Sequence, residues 1–284
     1  MKNCAEELVY AQTEDGLLLE GAVIRPVDVA ARPLGIVMIH GLTGRFYGPM
    51  IVRLGRLLAA GGYTFVTGNN RGHDFGTTIW TLGNKMRFAG GAWERFEESP
   101  RDVGAWVDFA AGLGLAGVVL IGHSLGSLKA VYYQAQRQDP RVRGLVLASP
   151  PVRAGRAKPD LLALAEQMVA EGRGRDLLPW GIVPVGGGTL SALTYLNRAR
   201  GDMDLFGAEC PNPAVAQVRC PMFAFYGTDE RWVGSGADLE LIRRNATGSP
   251  RVDTRLFAGA NHRYTDHEPE VAAAILAWLD GLAE

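Results

Sequence analysis

The chain has 284 residues, 47% hydrophobic and 21% charged, with a formal net charge of −1. Those proportions describe a globular protein able to bury one large core. A charge so near zero gives no overall field to attract nucleic acid or an anionic membrane, which disfavours nucleic acid as a partner and leaves room only for a local basic patch. Three scattered cysteines, Cys4, Cys210 and Cys220, lack metal-ligand spacing, and an odd, low count suits free thiols in a reducing compartment. The N-terminal run MKNCAEELVYAQTEDG is too acidic and polar for a secretory signal. No apolar run approaches the ~20 residues that span a bilayer. The expectation is a cytoplasmic protein with no integral membrane association and no metal.

In chain order, residues 7–13 and 17–24 read as two strands around Asp15-Gly16, a strong hairpin signal. Residues 34–40 (LGIVMIH) form a continuous apolar strand ending in His40-Gly41. Residues 51–60 carry a helical pattern closed by Gly61-Gly62, and residues 63–67 form a further strand. Residues 71–95 read as a long aromatic loop with Trp80, Lys85, Met86, Phe88 and Trp93. Loops of this length are often functional, so part of it is expected to border a site. A helix then opens near Ser99 and carries Val103, Trp106, Val107 and Ala110. Residues 118–121 (VVLI) read as a buried strand, followed by Leu128, Val131, Tyr132 and Ala135 at helical spacing. Residues 144–148 are one more strand.

Past Pro150-Pro151 the strand–helix rhythm stops. Residues 152–210 hold an amphipathic helix at 161–170, Pro- and Gly-rich turns, and a second helix near 190–200. This stretch reads as an inserted cap, leaving 1–151 and 211–284 as the core. The rhythm resumes with a strand at 222–226, a helix near 238–245, a strand at 252–257 and a helix at 269–282. Alternation of this kind gives a mostly parallel sheet covered by helices on both faces.

Gly122-His123-Ser124-Leu125-Gly126 fits G-x-S-x-G, and it lies between the strand at 118–121 and the helix after it. A serine hydroxyl is a weak nucleophile at neutral pH, so it needs a base in reach and a group to orient that base. Loops that follow parallel strands converge on one edge of the sheet. Ser124, Asp229 (in Tyr226-Gly227-Thr228-Asp229) and His262 (in Ala258-Gly259-Ala260-Asn261-His262) each follow such a strand. Of the five histidines, His123 would point away from Ser124, while His40, His73 and His267 sit in other turns or at a helix start. Asp229 has a close competitor in Glu230, while the loop Ser149-Pro150-Pro151 offers no carboxylate. The turn His40-Gly41-Leu42-Thr43-Gly44 can present a backbone N–H, so the amides of Leu42 and Leu125 are the expected oxyanion donors.

With the elbow GHSLG, the HG turn, the loop Arg71-Gly72-His73-Asp74, Asp229 and His262, the chain resembles the α/β-hydrolase superfamily over nearly its full length. The resemblance implies an eight-stranded, mostly parallel sheet with helices on both faces, an inserted helical cap, and catalysis without a cofactor. More narrowly, GHSLGSLKAVYY and residues 190–206 look like a group of hydrolases related to siderophore esterases. Within the superfamily, a serine at the elbow implies a serine hydrolase that cleaves a small-molecule carboxylic ester, thioester or lactone through an acyl-enzyme at Ser124. Non-hydrolytic acyl transfer, cyclisation or elimination on the same scaffold is the alternative, and a ligand-binding module with a residual triad is a further one. The cap should set specificity. Trp180, Met168 and Leu178, with Leu177, Ile182 and Val183, either line an acyl pocket or form the cap's own small core. Arg153, Arg156, Lys158, Arg173 and Arg175 make its first half basic, as a solvated face or as an attraction for anionic substrate. Lys129 departs from the small residues that often follow the elbow, and reads as a solvated helix residue, with a substrate contact as the alternative.

Overall fold

The computed structural model describes residues 4–153, 157–182, 188–201, 203–230 and 233–282. Val183 and Arg156 lie outside them.

An antiparallel hairpin of β1 (Cys4–Gln12) and β2 (Leu18–Pro26) opens the chain. Its turn is held by Thr13 and Leu17, whose N–H donates to the Thr13 hydroxyl at 2.8 Å. β3 (Leu34–Ile39), α1 (Pro49–Ala60) and β4 (Thr64–Gly68) follow. A short hairpin comes next, β5 (Thr77–Trp80) against β6 (Met86–Ala89), within the stretch expected to be a loop. Then come α2 (Ser99–Gly112), β7 (Gly117–His123), α3 (Leu125–Arg137), β8 (Val142–Ala148), α4 (Pro159–Ala170) and α5 (Ala192–Arg200). The chain closes with β9 (Met222–Gly227), α6 (Gly236–Asn245), β10 (Val252–Phe257) and α7 (Glu268–Asp280).

Eight strands form one sheet in the order β1-β2-β4-β3-β7-β8-β9-β10. Strands β4, β3, β7, β8, β9 and β10 run parallel, and the antiparallel pairings are confined to the β1–β2–β4 edge. β7 is central and buried along its whole length. A strand covered on both faces needs no polar alternation, which is why VVLI is unbroken in sequence.

Alternate residues of the central strands enter two separate cores. Val37, Leu120 and Leu145 pack with Val103, Trp106, Leu128, Val131 and Ile242 from α2, α3 and α6. Met38, Ile121 and Val146 pack with Ile51, Leu54, Leu58, Val271, Ile275 and Trp278 from α1 and α7. Several helix starts are written locally. Pro lies in the first turn of α1, α2, α4 and α7, where its missing N–H has no intrahelical partner to lose. Ser235 and Asp238 form a reciprocal capping box on α6.

Between β8 and β9, α4 and α5 pack on one another around Ala165, Met168, Leu178, Ala192 and Leu196. This third cluster is small, and it is tied to the body through the segment before α2. The Ser191 N–H donates to the Ala92 carbonyl at 2.8 Å, Trp93 Nε1 to the Arg175 carbonyl at 2.9 Å, and the Phe96 N–H to Asn197 Oδ1 at 2.9 Å.

Candidate active site

β7 ends at His123, and Ser124 sits at φ 54°, ψ −124°, a left-handed backbone conformation that non-glycine residues rarely hold. The structure supports it from several sides. The Ser124 N–H donates to the Ala148 carbonyl at 2.8 Å. The hydroxyl of buried Ser127 donates to the Gly122 carbonyl at 2.7 Å and lies 3.2 Å from the Ala148 carbonyl. The two motif glycines permit close backbone contact rather than flexibility. A Cβ on Gly126 would lie 2.1 Å from the Ile39 carbonyl oxygen, and one on Gly122 would lie 2.4 Å from that of Gly126. The strand–turn–helix around Ser124 is thus packed tightly enough to maintain a strained residue.

The HG turn closes over this elbow. The Gly44 N–H donates to the Gly41 carbonyl at 3.1 Å, and Thr43 takes φ 52°, so Leu42 sits at a turn corner. A Cβ on Gly41 would stand 2.9 Å from Ser124 Cβ and 3.4 Å from the Leu125 nitrogen. The turn carrying the Leu42 amide therefore abuts the elbow carrying the Leu125 amide. His40, fully buried, holds the base of the turn. Its Nδ1–H donates to the Gly41 carbonyl at 2.8 Å, and its Nε2 accepts from the Asn70 N–H at 2.9 Å. One donating and one accepting nitrogen require a neutral ring. Burial, reinforced by the charge of Lys129, lowers its pKa to about 3.

His262 lies in the turn after β10. His262 and His123 have ring centroids 4.8 Å apart, and His123 Nε2 donates to the His262 carbonyl at 2.7 Å. Burial keeps His123 neutral as well, with its pKa lowered to about 3. His123 points to the His262 loop, and its sequence signal was only its place beside Ser124.

The structure sets Glu230, not the expected Asp229, beside His262. The carboxylate beside His262 belongs to Glu230, with Oε2 3.3 Å from Nδ1 and a side chain sealed from solvent. Asp229 is exposed on the turn after β9, where its N–H donates to the Ala260 carbonyl at 3.0 Å. On this turn the inner side belongs to the second of the pair. Glu230 is held in turn. Ser149 donates its hydroxyl to Oε1, and the Tyr264 hydroxyl lies 2.5 Å from Ser149 Oγ. Ser149 stands at φ 52° at the end of β8. The Ser149-Pro150-Pro151 loop supplies no carboxylate but does supply the hydroxyl that fixes one.

The helix after the elbow brings a second correction. Lys129 is fully buried rather than solvated, and its ammonium is paired with Glu94. Arg198 of α5 also reaches Glu94, Nη2 to Oε2 at 3.4 Å. Glu94 lies against Gly72, whose added Cβ would sit 2.3 Å from the carboxyl carbon. Three residues earlier, Gly91 packs on Leu42 and Thr43 of the HG turn. The 91–94 stretch therefore borders the site. Nearby, buried Arg71 binds Asp102, Asp15 and Glu98, and the paired Asp15 carboxyl is lowered to about 2, its burial outweighed by bonds to Arg71 and Thr13.

The three residues expected to line a substrate pocket part company. Met168 and Leu178 are buried in the small core of α4 and α5, so their side chains serve its packing. Trp180 is exposed and its ring lies 5.5 Å from that of Phe75. In the basic half of the segment, Arg153 pairs with Asp238 at 3.0 Å and Arg173 with Glu171, while Lys158 and Arg175 are exposed. Cys4, Cys210 and Cys220 are free thiols. Among the described residues, no group of His, Cys, Asp and Glu could hold a metal ion, and no helix is long and apolar enough to cross a membrane.

Several known proteins are similar to this chain in sequence or in fold. Phospholipase YtpA of Bacillus subtilis (strain 168) is 35% identical over 125 residues, 43% of this chain and 42% of that protein. The match thus spans less than half the length of that relative. Among solved structures, ferulic-acid-bound Est1E from Butyrivibrio proteoclasticus has a TM-score of 0.69 at 18% identity, covering 97% of this chain and 100% of that one. A thermostable carboxyl esterase from Bacillus coagulans, in complex with glycerol, has a TM-score of 0.71 at 15% identity, covering 98% and 99%. At such identities the likeness is one of fold. The profile of the Alpha/beta hydrolase family matches residues 36–275, from β3 into α7, and the chain belongs to that family.

Proposed function

We propose that the protein is a serine hydrolase that cleaves a carboxylic ester through an acyl-enzyme at Ser124, with His262 as base and Glu230 as the acid that orients it. The observation that carries this reading is the strained Ser124 at φ 54° beneath the HG turn, with His262 paired to a buried carboxylate. The names of the esterase structures and the phospholipase relative support an ester as substrate.

In the proposed cycle Ser124 Oγ attacks the ester carbonyl carbon as His262 Nε2 takes its proton, while Nδ1 stays engaged with Glu230. The carbonyl oxygen becomes an oxyanion that accepts from the N–H groups of Leu42 and Leu125. Collapse expels the alcohol, which leaves with the proton from His262. Water, activated by the same histidine, then releases the acid and restores Ser124. Residues 152–210 act in this reading as a cap over the site.

Ser124→Ala is expected to abolish hydrolysis of an activated short-chain ester such as p-nitrophenyl butyrate, and to abolish labelling by a fluorophosphonate. The melting temperature should stay close to that of the parent. Undiminished turnover in that variant would overturn the reading.

A further inference from the structure

The β5–β6 hairpin stands outside the main sheet, and its two faces are unlike. Cross-strand pairing sets Trp80 opposite Met86 and Thr78 opposite Phe88 on one face, with Ile79 opposite Arg87 on the other. The inner face is committed to the body: Ile79 is buried, and Arg87 reaches Asp15 at 3.5 Å and Glu98 at 3.7 Å. Side chains alternate across a strand, so these inner contacts force the outer set into solvent. Apart from Thr78, that outer set is apolar. Trp80 is 46% exposed, Met86 61% and Phe88 47%, with Leu82 of the connecting turn at 58%.

The row continues toward the site. The Phe88 ring lies 4.7 Å from Trp93, Trp93 5.7 Å from Phe75, and Phe75 5.5 Å from Trp180, itself 69% exposed. Trp93 follows Gly91, which packs on Leu42 and Thr43 of the HG turn. Two exposed cations without an ion pair among the described residues flank this row. One is Lys85, on the hairpin turn, and the other is Arg175, whose guanidinium lies 5.8 Å from the Phe88 ring centroid.

We infer that the outer face of the β5–β6 hairpin is a docking surface for an anionic lipid surface. Exposed Trp, Phe, Met and Leu side chains partition into the headgroup boundary, and adjoining Lys and Arg are drawn to anionic headgroups. A net charge of −1 for the chain does not oppose this, because a surface within a Debye length responds to the local charges. The position of the patch favours a lipid surface over a second copy of the chain. Its aromatic row runs to Trp93, two residues from the Gly91 that packs on the HG turn, and its flanking cations Lys85 and Arg175 match anionic headgroups, whereas the same patch of a second copy would set like charges together. The inference rests on the ester-hydrolase reading for its purpose. Binding is measured without turnover, so the two fail separately.

Co-sedimentation of the Ser124→Ala protein with vesicles of phosphatidylglycerol and phosphatidylcholine tests it. Binding is expected, weakening as salt rises, with a blue shift of tryptophan emission. The added substitutions Trp80→Ser and Met86→Ser should lower binding roughly tenfold or more, since together they withdraw two apolar side chains from the boundary. With Ser124 intact, the same pair of substitutions should leave hydrolysis of a soluble short-chain ester unchanged, which shows that the variant is folded. No sedimentation with these vesicles overturns the inference. So does equal binding by the folded variant, or a dimer in ultracentrifugation that the two substitutions convert to a monomer without any vesicle binding.

Discussion

The carboxylate of Glu230 is shared between two partners: Oε1 accepts the Ser149 hydroxyl, and Oε2 stands 3.3 Å from His262 Nδ1. The acid is thereby fixed from behind by β8 while it faces the turn after β10. Glu230→Gln replaces an acceptor-only group by an amide that can present an N–H to Nδ1 and favour the wrong tautomer. It is expected to lower kcat by ~10³–10⁴-fold, while Asp229→Asn stays within a few fold of the parent. Steady-state kinetics on a soluble ester decide between them, and the opposite ranking would return the role to Asp229.

The contact between Gly41 and Ser124 makes the position of the HG turn testable without touching a side chain. Gly41→Ala puts a Cβ 2.9 Å from Ser124 Cβ and 3.0 Å from the His123 carbonyl oxygen. The turn must move away, taking the Leu42 amide with it. A loss of ~10²-fold in kcat with KM little changed is expected, the size associated with one displaced oxyanion donor. An unaltered kcat would remove Leu42 from the proposed site.

Acid lability should come first from two histidines. His40 and His123 are both buried with pKa values lowered to about 3, against an ordinary value of 6.5. The unfolded chain protonates them below about pH 6.5 and the folded chain does not. Each therefore contributes stability that is present above 6.5 and lost as pH falls toward 3. The slope is about 1.4 kcal/mol per pH unit for each ring. Denaturant unfolding between pH 6 and pH 5 should show both, and His123→Phe should show about half the slope. An unchanged slope would mean that His123 is charged in the folded protein.

The buried group around Glu94 is asymmetric: one carboxylate faces two cations, Lys129 and Arg198. Glu94→Gln strands the Lys129 ammonium in a site with no solvent, at an expected cost of about 3–5 kcal/mol. Lys129→Met leaves Glu94 with Arg198 and should cost at least about 2 kcal/mol less. Thermal melts read this as a Tm drop of roughly 6 °C or more for Glu94→Gln and a smaller one for Lys129→Met. Equal losses would show that Arg198 gives Glu94 no support.

Much of the architecture was legible because it depends on local regularities. Unbroken apolar runs such as VVLI mark strands covered on both faces, while Asp15-Gly16 marks a hairpin turn and Gly61-Gly62 a helix end. The elbow was legible for the same reason, since a strand, two glycines around a serine and a helix are contiguous. The β5–β6 hairpin was not. Its outer face is apolar and its inner face carries Arg87, so the alternation runs opposite to that of a strand lying on a core.

The sequence by itself determined the strand–helix alternation, the place of Ser124 between a buried strand and a helix, and the loop that carries His262, because each follows from residues adjacent in the chain. Tertiary structure decided which of two neighbouring carboxylates turns inward, since that depends on Ser149 and Tyr264 from other elements. It also decided that Lys129 is buried, because its partner Glu94 lies 35 residues away on a stretch whose approach no helical pattern encodes.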